Sequence, residues 1–585
     1  MKKMQGTGCA EGCAGGVAFV KKDDDIVFSN VSTEADGAHV EDPEGEVALL
    51  EESMEKLEGQ LETLYEKTLE ESGEEAAELI ESYQMILCDR HFWGKTKEMI
   101  RQEKLSCVHA VLQTCENCRL EFEAMEDAYM KERYQDIEKV CRELVRLAGH
   151  MEGDLSAVQL TGPTIVVADT LTPVDTVKLD KKYLKGFVTE SGGTTSHAVI
   201  LARTLGIPAI VGVKGITKCV ENGMELIIDG SDGTVILQAD AGEKEEFERK
   251  RRAQTELAAR YDREPKGEAR TKDGCHVYLA VNSGDSDSAE TLDPDICDGV
   301  GLFRTEFLYM KQNDYPDEET LFEAYRDVTE RMKGKEVVFR TLDIGGDKAL
   351  GYMELPEEEN PFLGYRAVRI CLDRPELFST QLRAILRASA FGNVKIMFPM
   401  ITGAEELRAC LAVLEECKRE LAKEQISFDK DIKAGTMVET PSAVMVLDQL
   451  ARYSDFFSVG TNDLVQYTMA ADRGNTNVQN LYDPYQPSVL RALHHIGRTA
   501  KKSGVPVSVC GETASMLPMV PFLIGCGVGK LSVAASALPR LKYLVRRLNE
   551  ADCIKMADQV IQMESVQEIK EILSRYADGM LGETL

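Results

Sequence analysis

The clearest periodicity lies near the start of the chain. Val47, Leu50, Met54, Leu57, Leu61 and Leu64 recur in steps of three and four residues, a narrow apolar seam that predicts a long helix. The stretch 44–147 keeps this character. Glycine is sparse there and proline is absent after Pro43, so several helices in antiparallel packing are expected. From 157 to 240 the period shortens. Residues 164–168, 184–190, 208–213, 224–229 and 233–237 read as strands, and a helical pattern at 198–205 falls among them. This predicts a small mixed α/β domain. A strand-like run at 16–20 is expected to complete it, which makes the helical block an insertion. Residues 240–270 are dense in charge, with Glu243-Lys244-Glu245-Glu246 followed by Arg249-Lys250-Arg251-Arg252, and read as a solvated linker helix closed by Pro265 and Gly267. Beyond 272, eight short apolar runs occupy 276–282, 299–305, 336–343, 394–400, 432–439, 456–461, 505–511 and 530–535. Helical patterns at 318–332, 404–421, 441–452 and 488–502 lie between them, and the alternation predicts a (β/α)8 barrel.

Length and composition narrow the class. A chain of 585 residues accommodates about three or four domains. No apolar run approaches a membrane span, and the first residues lack the apolar core of a signal peptide, so a cytoplasmic protein is expected. The net charge of -32 repels nucleic acid and anionic membrane. It also requires any site for an anionic substrate to gather its own arginines. The acidic positions Glu51, Glu52, Glu70, Glu71, Glu74, Glu75 and Glu78 read either as a solvated face or as a docking surface for a basic partner. The 16 cysteines read as reduced thiols. Cys107, His109, Cys115 and Cys118 have zinc-like residue types, but they sit in a helical pattern without a second pair at ribbon spacing, which favours helix packing.

Candidate chemistry concentrates in two places. In Ser191-Gly192-Gly193-Thr194-Thr195-Ser196-His197 a strand runs into glycines, hydroxyls and one histidine at a helix start. Such a start favours anions, so His197 reads as a phosphoryl carrier, a capping residue or a base. In the barrel, catalytic groups belong at the carboxyl ends of strands. Arg304, Arg340, Glu439, Asn462, Asp463 and Cys510 fall at or just after such ends, with Arg366 and Arg473 in the loops beyond. Four arginines imply a small substrate with several negative charges. Glu439 and Asp463 supply carboxylates that suit Mg2+. Cys510 reads as a nucleophile, an acid or a small buried residue.

Seven segments together closely resemble Enzyme I, the phosphoenolpyruvate–protein phosphotransferase family of the bacterial sugar phosphotransferase system. They are Gly193-Thr194-Thr195-Ser196-His197, Gly301-Leu302-Phe303-Arg304-Thr305-Glu306-Phe307, Asp343-Ile344-Gly345-Gly346-Asp347-Lys348, Asn360-Pro361-Phe362-Leu363-Gly364-Tyr365-Arg366, Met437-Val438-Glu439-Thr440-Pro441, Gly460-Thr461-Asn462-Asp463-Leu464 and Cys510-Gly511-Glu512. The resemblance covers essentially the whole chain and implies a multidomain α/β fold. Residues 1–40 and 148–240 would form a swivelling phosphohistidine domain and 41–147 an inserted helical domain that binds the carrier protein HPr. Residues 241–270 would be the linker, and 271–585 the phosphoenolpyruvate-binding barrel and dimerisation domain. It further implies that His197 is phosphorylated on Nε2 beside Thr176. Arg304, Arg340 and Arg366 would hold the phosphate end, Asn462, Asp463 and Arg473 would contact substrate, Glu439 and Asp463 would ligate Mg2+, and Cys510 would protonate enolpyruvate. The chain departs from the pattern at Thr194, where a basic residue is frequent, and at Tyr83, where histidine is frequent. Two other readings remain: a phosphoenolpyruvate-sensing regulator, and a dikinase or synthase relative, which would need a nucleotide-binding domain that the chain leaves no room for.

Overall fold

The computed structural model describes residues 2–10, 12–21, 39–72, 80, 83–123, 128–149, 162–171, 182–191, 199, 201–202, 205–264, 267–284, 292–310, 312, 314–346, 350, 352–353, 355–356, 358–473, 475 and 478–582. Thr176, Thr194 and His197 lie outside them. The chain divides into two compact units, Met1–Glu256 and Leu257–Leu585.

The first unit holds an eight-stranded sheet with the order β1-β8-β7-β3-β4-β5-β6-β2. Its strands are β1 Lys2–Gln5, β2 Thr7–Ala10, β3 Cys13–Lys21, β4 Thr164–Ala168, β5 Leu184–Thr189, β6 Ala209–Val211, β7 Glu225–Asp229 and β8 Thr234–Leu237. The amino-terminal strands therefore join a sheet whose other members follow the helices. β3, β4, β5 and β6 run parallel to one another, and the outer pairs are antiparallel. Along β4 the side chains alternate between two apolar clusters, Val166 and Ala168 in one and Ile165 and Val167 in the other, so both faces of the sheet are buried. The strand expected at 16–20 runs longer, and β1 and β2 were not expected at all. They are short and interrupted by Gly6 and Gly8. Gly8 is required by proximity: a Cβ there would lie 2.2 Å from the Gly230 carbonyl oxygen.

The helices Pro43–Ser72, Arg90–Glu103, Cys107–Glu123 and Ala128–Ala148 share a separate core. Val47, Leu50, Leu57 and Leu61 of the predicted seam are buried in it, with Met54 packed against its edge. Trp93 anchors the centre and donates its indole N–H to the Ile86 carbonyl at 3.0 Å. Cys107 and Cys115 belong to this core, whereas His109 makes a hydrogen bond with the Ser106 hydroxyl at 2.8 Å. Tyr83 is buried in the same core. The charge-dense segment forms the helix Ala241–Asp262.

The second unit is built on a closed parallel barrel of β9 Tyr278–Ser283, β10 Gly299–Phe303, β11 Glu336–Arg340, β12 Val394–Phe398, β13 Lys433–Val438, β14 Phe457–Val459, β15 Val507–Val509 and β16 Lys530–Val533. All eight predicted runs contain one of these strands, apart from Ser283 at the end of β9. At the carboxyl side most runs outlast their strand, because the residues beyond it leave the ladder to form the mouth. The predicted helix 441–452 is two short helices, Pro441–Met445 and Leu447–Leu450, divided at Val446, whose φ of -113° and ψ of 22° leave the helical region. Three further helices, Leu538–Val545, Glu550–Val560 and Val566–Leu581, follow β16. Asn549 and Ser565 cap the last two by accepting the N–H of Asp552 and Glu568.

Inside the barrel, Leu302, Val338, Met397, Met437, Phe456 and Cys510 form one apolar plug. Phe456 lies so close to β13 that a Cβ at Gly435 would sit 2.6 Å from its ring. At the amino-terminal end Glu336 pairs with both Lys395 and Lys530. Burial raises the pKa of this carboxyl, and the two ammonium groups outweigh it and hold the group below the usual range.

Candidate active site at the barrel mouth

The strand ends build a ladder of alternating charges. Arg340, the last residue of β11, is buried and reaches Glu306 from Nη2 and Asp343 from Nη1, each at 2.9 Å. The Asp343 carboxylate also receives Arg366, through Nη2 at 2.9 and 3.2 Å and Nε at 3.3 Å. Arg366 continues through Nη1 to Asp463 at 3.4 Å and to the Tyr467 hydroxyl at 3.1 Å. Burial opposes the charge on both guanidinium groups, and the adjoining carboxylates overcome it and raise their pKa. The arginines are therefore held ionised and oriented inside an apolar wall. The Nε of Arg340 is buried with no partner.

Glu439 follows β13 and is 1% exposed. Its Oε1 accepts the Met400 N–H at 2.5 Å, and its Oε2 is buried without a partner. Burial, and then the charges of Asp463 and Asp343, push this carboxyl up to about 8. A buried oxygen without a donor beside a second carboxylate suits a cation, which would relieve the desolvation and the repulsion together. Among the described residues no group of three or more His, Cys, Asp or Glu gathers as a ready metal cage. Glu439 and Asp463 would thus share a cation with oxygens from outside the protein.

Cys510 follows β15, buried, and its thiol lies 3.6 Å from the Val459 carbonyl. Burial pushes its pKa up to about 11. Arg304 follows β10 with an exposed side chain, and its N–H donates to the Ser283 carbonyl at 2.8 Å. Asn462 accepts the Glu512 N–H at 3.0 Å, which ties the ends of β14 and β15. The Arg473 guanidinium stands 5.5 Å from the Phe362 ring, and its backbone N–H donates to Gln466 at 3.0 Å. The structure thus links Arg340 to Arg366 through Asp343, joins Arg366 to Asp463, and sets Glu439 beside them. Cys510 lies within electrostatic reach of Glu439, Arg340 and Arg304.

Three of the seven left-handed non-glycine residues among the described residues border this site. Among the described residues, Ala367, Met400 and Ala470 are non-glycine residues at φ of 54°, 56° and 49°. They adjoin Arg366, hold Glu439 and end the helix that carries Asp463, Thr461–Met469. Such conformations cost about 1–3 kcal/mol each and persist where surrounding packing fixes them. Gly345, at φ 103°, answers a different need: a Cβ there would lie 2.6 Å from Arg366 Cβ and 2.7 Å from the Tyr365 carbonyl oxygen.

Three contributors were not singled out from sequence. Glu306 orients Arg340. Tyr467 contacts Arg366. Gln381 is buried on the Pro375–Ala388 helix, accepts the Leu342 N–H at 2.9 Å and donates to the Thr305 hydroxyl at 3.0 Å. That hydroxyl in turn donates to the Arg340 carbonyl at 3.0 Å. Gln381→Leu is expected to leave the Leu342 N–H unpaired and to cost about 1–3 kcal/mol, read as a lower urea midpoint by circular dichroism. An unchanged midpoint would remove Gln381 from this supporting role.

No helix of the described residues is long and apolar enough to cross a membrane. Residues 5–133 match the family model of the amino-terminal part of PEP-utilising enzymes, 160–233 that of their mobile domain, and 258–550 that of their PEP-binding domain. The chain is 39% identical to the phosphoenolpyruvate-protein phosphotransferase of Priestia megaterium over 98% of both chains. It is 39% identical to that of Bacillus subtilis, over 97% of this chain and 98% of the relative. It is 40% identical to that of Enterococcus faecalis, over 98% of this chain and 99% of the relative. With a barrel mouth that holds ionised arginines beside two carboxylates and a protonated thiol, this chain belongs to the phosphoenolpyruvate-protein phosphotransferase family.

Proposed function

We propose that this enzyme transfers the phosphoryl group of phosphoenolpyruvate to its own His197, releases pyruvate, and passes the group to a histidine of an HPr-like carrier, the first step of the sugar phosphotransferase system. The observation that carries this reading is the buried ladder Arg340–Asp343–Arg366–Asp463 beside the unpartnered oxygen of Glu439. Phosphoenolpyruvate has a phosphate and a carboxylate on a three-carbon frame, and the mouth offers cations for both. Arg304, Arg340 and Arg366 receive the phosphate end. Arg473 receives the carboxylate, with Asn462 and Asp463 as further contacts. Glu439 and Asp463 would hold Mg2+, which would supply charge stabilisation to the phosphate and the enolate.

In the reaction the Nε2 of His197, oriented by Thr176, forms a bond to phosphorus as the bond from phosphorus to the enol oxygen breaks. The arginines offset the charge that moves onto that oxygen. The enolate then takes the Cys510 proton at its methylene carbon, which gives pyruvate. A thiol that ionises only near pH 11 is still protonated at neutral pH, as an acid must be. Residues 1–40 and 148–240 would carry the histidine, 41–147 would dock the carrier through their acidic faces, 241–270 would link, and 271–585 would bind substrate and pair two chains. A cytoplasmic location suits such a soluble relay.

Incubation of the full chain with labelled phosphoenolpyruvate and Mg2+ is expected to give an acid-labile phosphohistidine and an equivalent of pyruvate. Adding an HPr-like carrier should move the label to it. A chain that takes no label would overturn the reading.

A further inference from the structure

Tyr467 sits one turn beyond Asp463 on the Thr461–Met469 helix, so both residues occupy one face. Its hydroxyl is used twice. It accepts from Arg366 Nη1 at 3.1 Å and donates to the Phe362 carbonyl. Phe362 belongs to the short 3-10 helix Pro361–Leu363, and its ring faces the Arg473 guanidinium at 5.5 Å. The loop that carries Asp343 passes close to the same ring, since a Cβ at Gly346 would lie 3.3 Å from Phe362 Cδ1. Gln466, the neighbour of Tyr467, holds the Arg473 backbone N–H at 3.0 Å. One phenol therefore touches the guanidinium assigned to the phosphate end and, through a carbonyl and its ring, the loop that borders the guanidinium assigned to the carboxylate end.

We propose that Tyr467 is a positioning residue that fixes the span between Arg366 and Arg473, and so matches the cationic mouth to a phosphorylated three-carbon acid. The inference rests on the function proposed above. Nothing in the reaction needs a proton from this phenol. Burial raises its pKa, and Arg366 partly opposes that rise. Its work is geometric. It holds Arg366 Nη1 at the point where the guanidinium edge leaves Asp343, and it pins the Phe362 backbone at a fixed height above the helix. Without the hydroxyl, Arg366 keeps its three bonds to Asp343 and stays folded in place, but the 361–363 turn and the Arg473 beside it lose their common reference.

The test is Tyr467→Phe in the full chain, which keeps the ring and its packing. Thermal unfolding should match wild type. The kcat/KM for phosphoenolpyruvate should fall about ten- to a hundredfold, the scale of one hydrogen bond to a charged group, with most of the loss in KM. Arg473→Lys should cost less in the Tyr467→Phe background than in wild type, by about fivefold or more, because the two act through one geometry. Kinetics within twofold of wild type, or effects of Tyr467→Phe and Arg473→Lys that multiply independently, would overturn the linkage. The wild-type chain in the same assay separates the two levels of inference. An active wild type with an unaffected variant sinks the linkage alone, whereas an inactive wild type sinks the function and this inference with it.

Discussion

His197→Ala is expected to reduce phosphoenolpyruvate-dependent labelling of the full chain to background, a loss of at least about a thousandfold. The argument is one of chemistry rather than proximity. A phosphoryl group that must be both accepted and released needs a nitrogen nucleophile whose phosphorylated form stays reactive, and the imidazole ring provides it. Of the 8 histidines, only His197 follows a run of glycines and hydroxyls where the sequence pattern passes from strand-like to helical. Among the described residues, His109 bonds to Ser106, His494 to Asp558, and the His276 ring lies against Tyr278. His197 is not among the residues assigned to phosphoenolpyruvate binding, so the variant should bind phosphoenolpyruvate with wild-type affinity by calorimetry. Label retained on any other residue would reassign the carrier.

Cys510→Ala should leave substrate binding within a few-fold of wild type and slow pyruvate formation by about a hundred- to ten-thousandfold, the usual contribution of a positioned general acid. The thiol is surrounded by Leu302, Val338, Met397, Met437 and Phe456, so alanine should pack there without a new polar defect. The elevated pKa gives a second readout. Burial raises the folded thiol from 9.0 to about 11, so an unfolded chain ionises it first as pH rises. The stability tied to the neutral thiol is whole below pH 9 and is lost as pH climbs through about 11. The variant should therefore lose less stability than wild type between pH 8 and pH 11 in thermal unfolding. Unchanged pyruvate formation would remove Cys510 from the acid role.

The barrel was legible because each strand is a short apolar run fully buried by helices, and that pattern survives without partners. The amino-terminal strands were not. β1 and β2 are glycine-interrupted, and they are strands because β8 and β6 lie beside them some 200 residues later, as in the pairings of Lys2 with Leu237 and Thr7 with Val211. The same distinction separates the site residues. Arg340, Glu439 and Cys510 stand at strand ends, a position that periodicity predicts. Glu306, Gln381 and Tyr467 acquire meaning from groups 34, 76 and 101 residues away, Arg340, Thr305 and Arg366. In a chain with 100 acidic residues, a Glu306 that is almost wholly buried looks like any other glutamate until its arginine is found. Tyr83 makes a similar point, since its burial in the helical core is set by packing that sequence alone does not display.

The plug beneath Cys510 shapes more than its acidity. Two methionines and a phenylalanine pack in one cluster with that thiol, and at the far rim Glu336 is clamped by Lys395 and Lys530. With Cys510 in the proposed acid role, each proton given to the methylene carbon would be replaced from the mouth, the side from which pyruvate would depart. On that reading, departure of the product and recharging of the acid would share the mouth, and the enzyme would be reset for its next cycle only once both had passed through it.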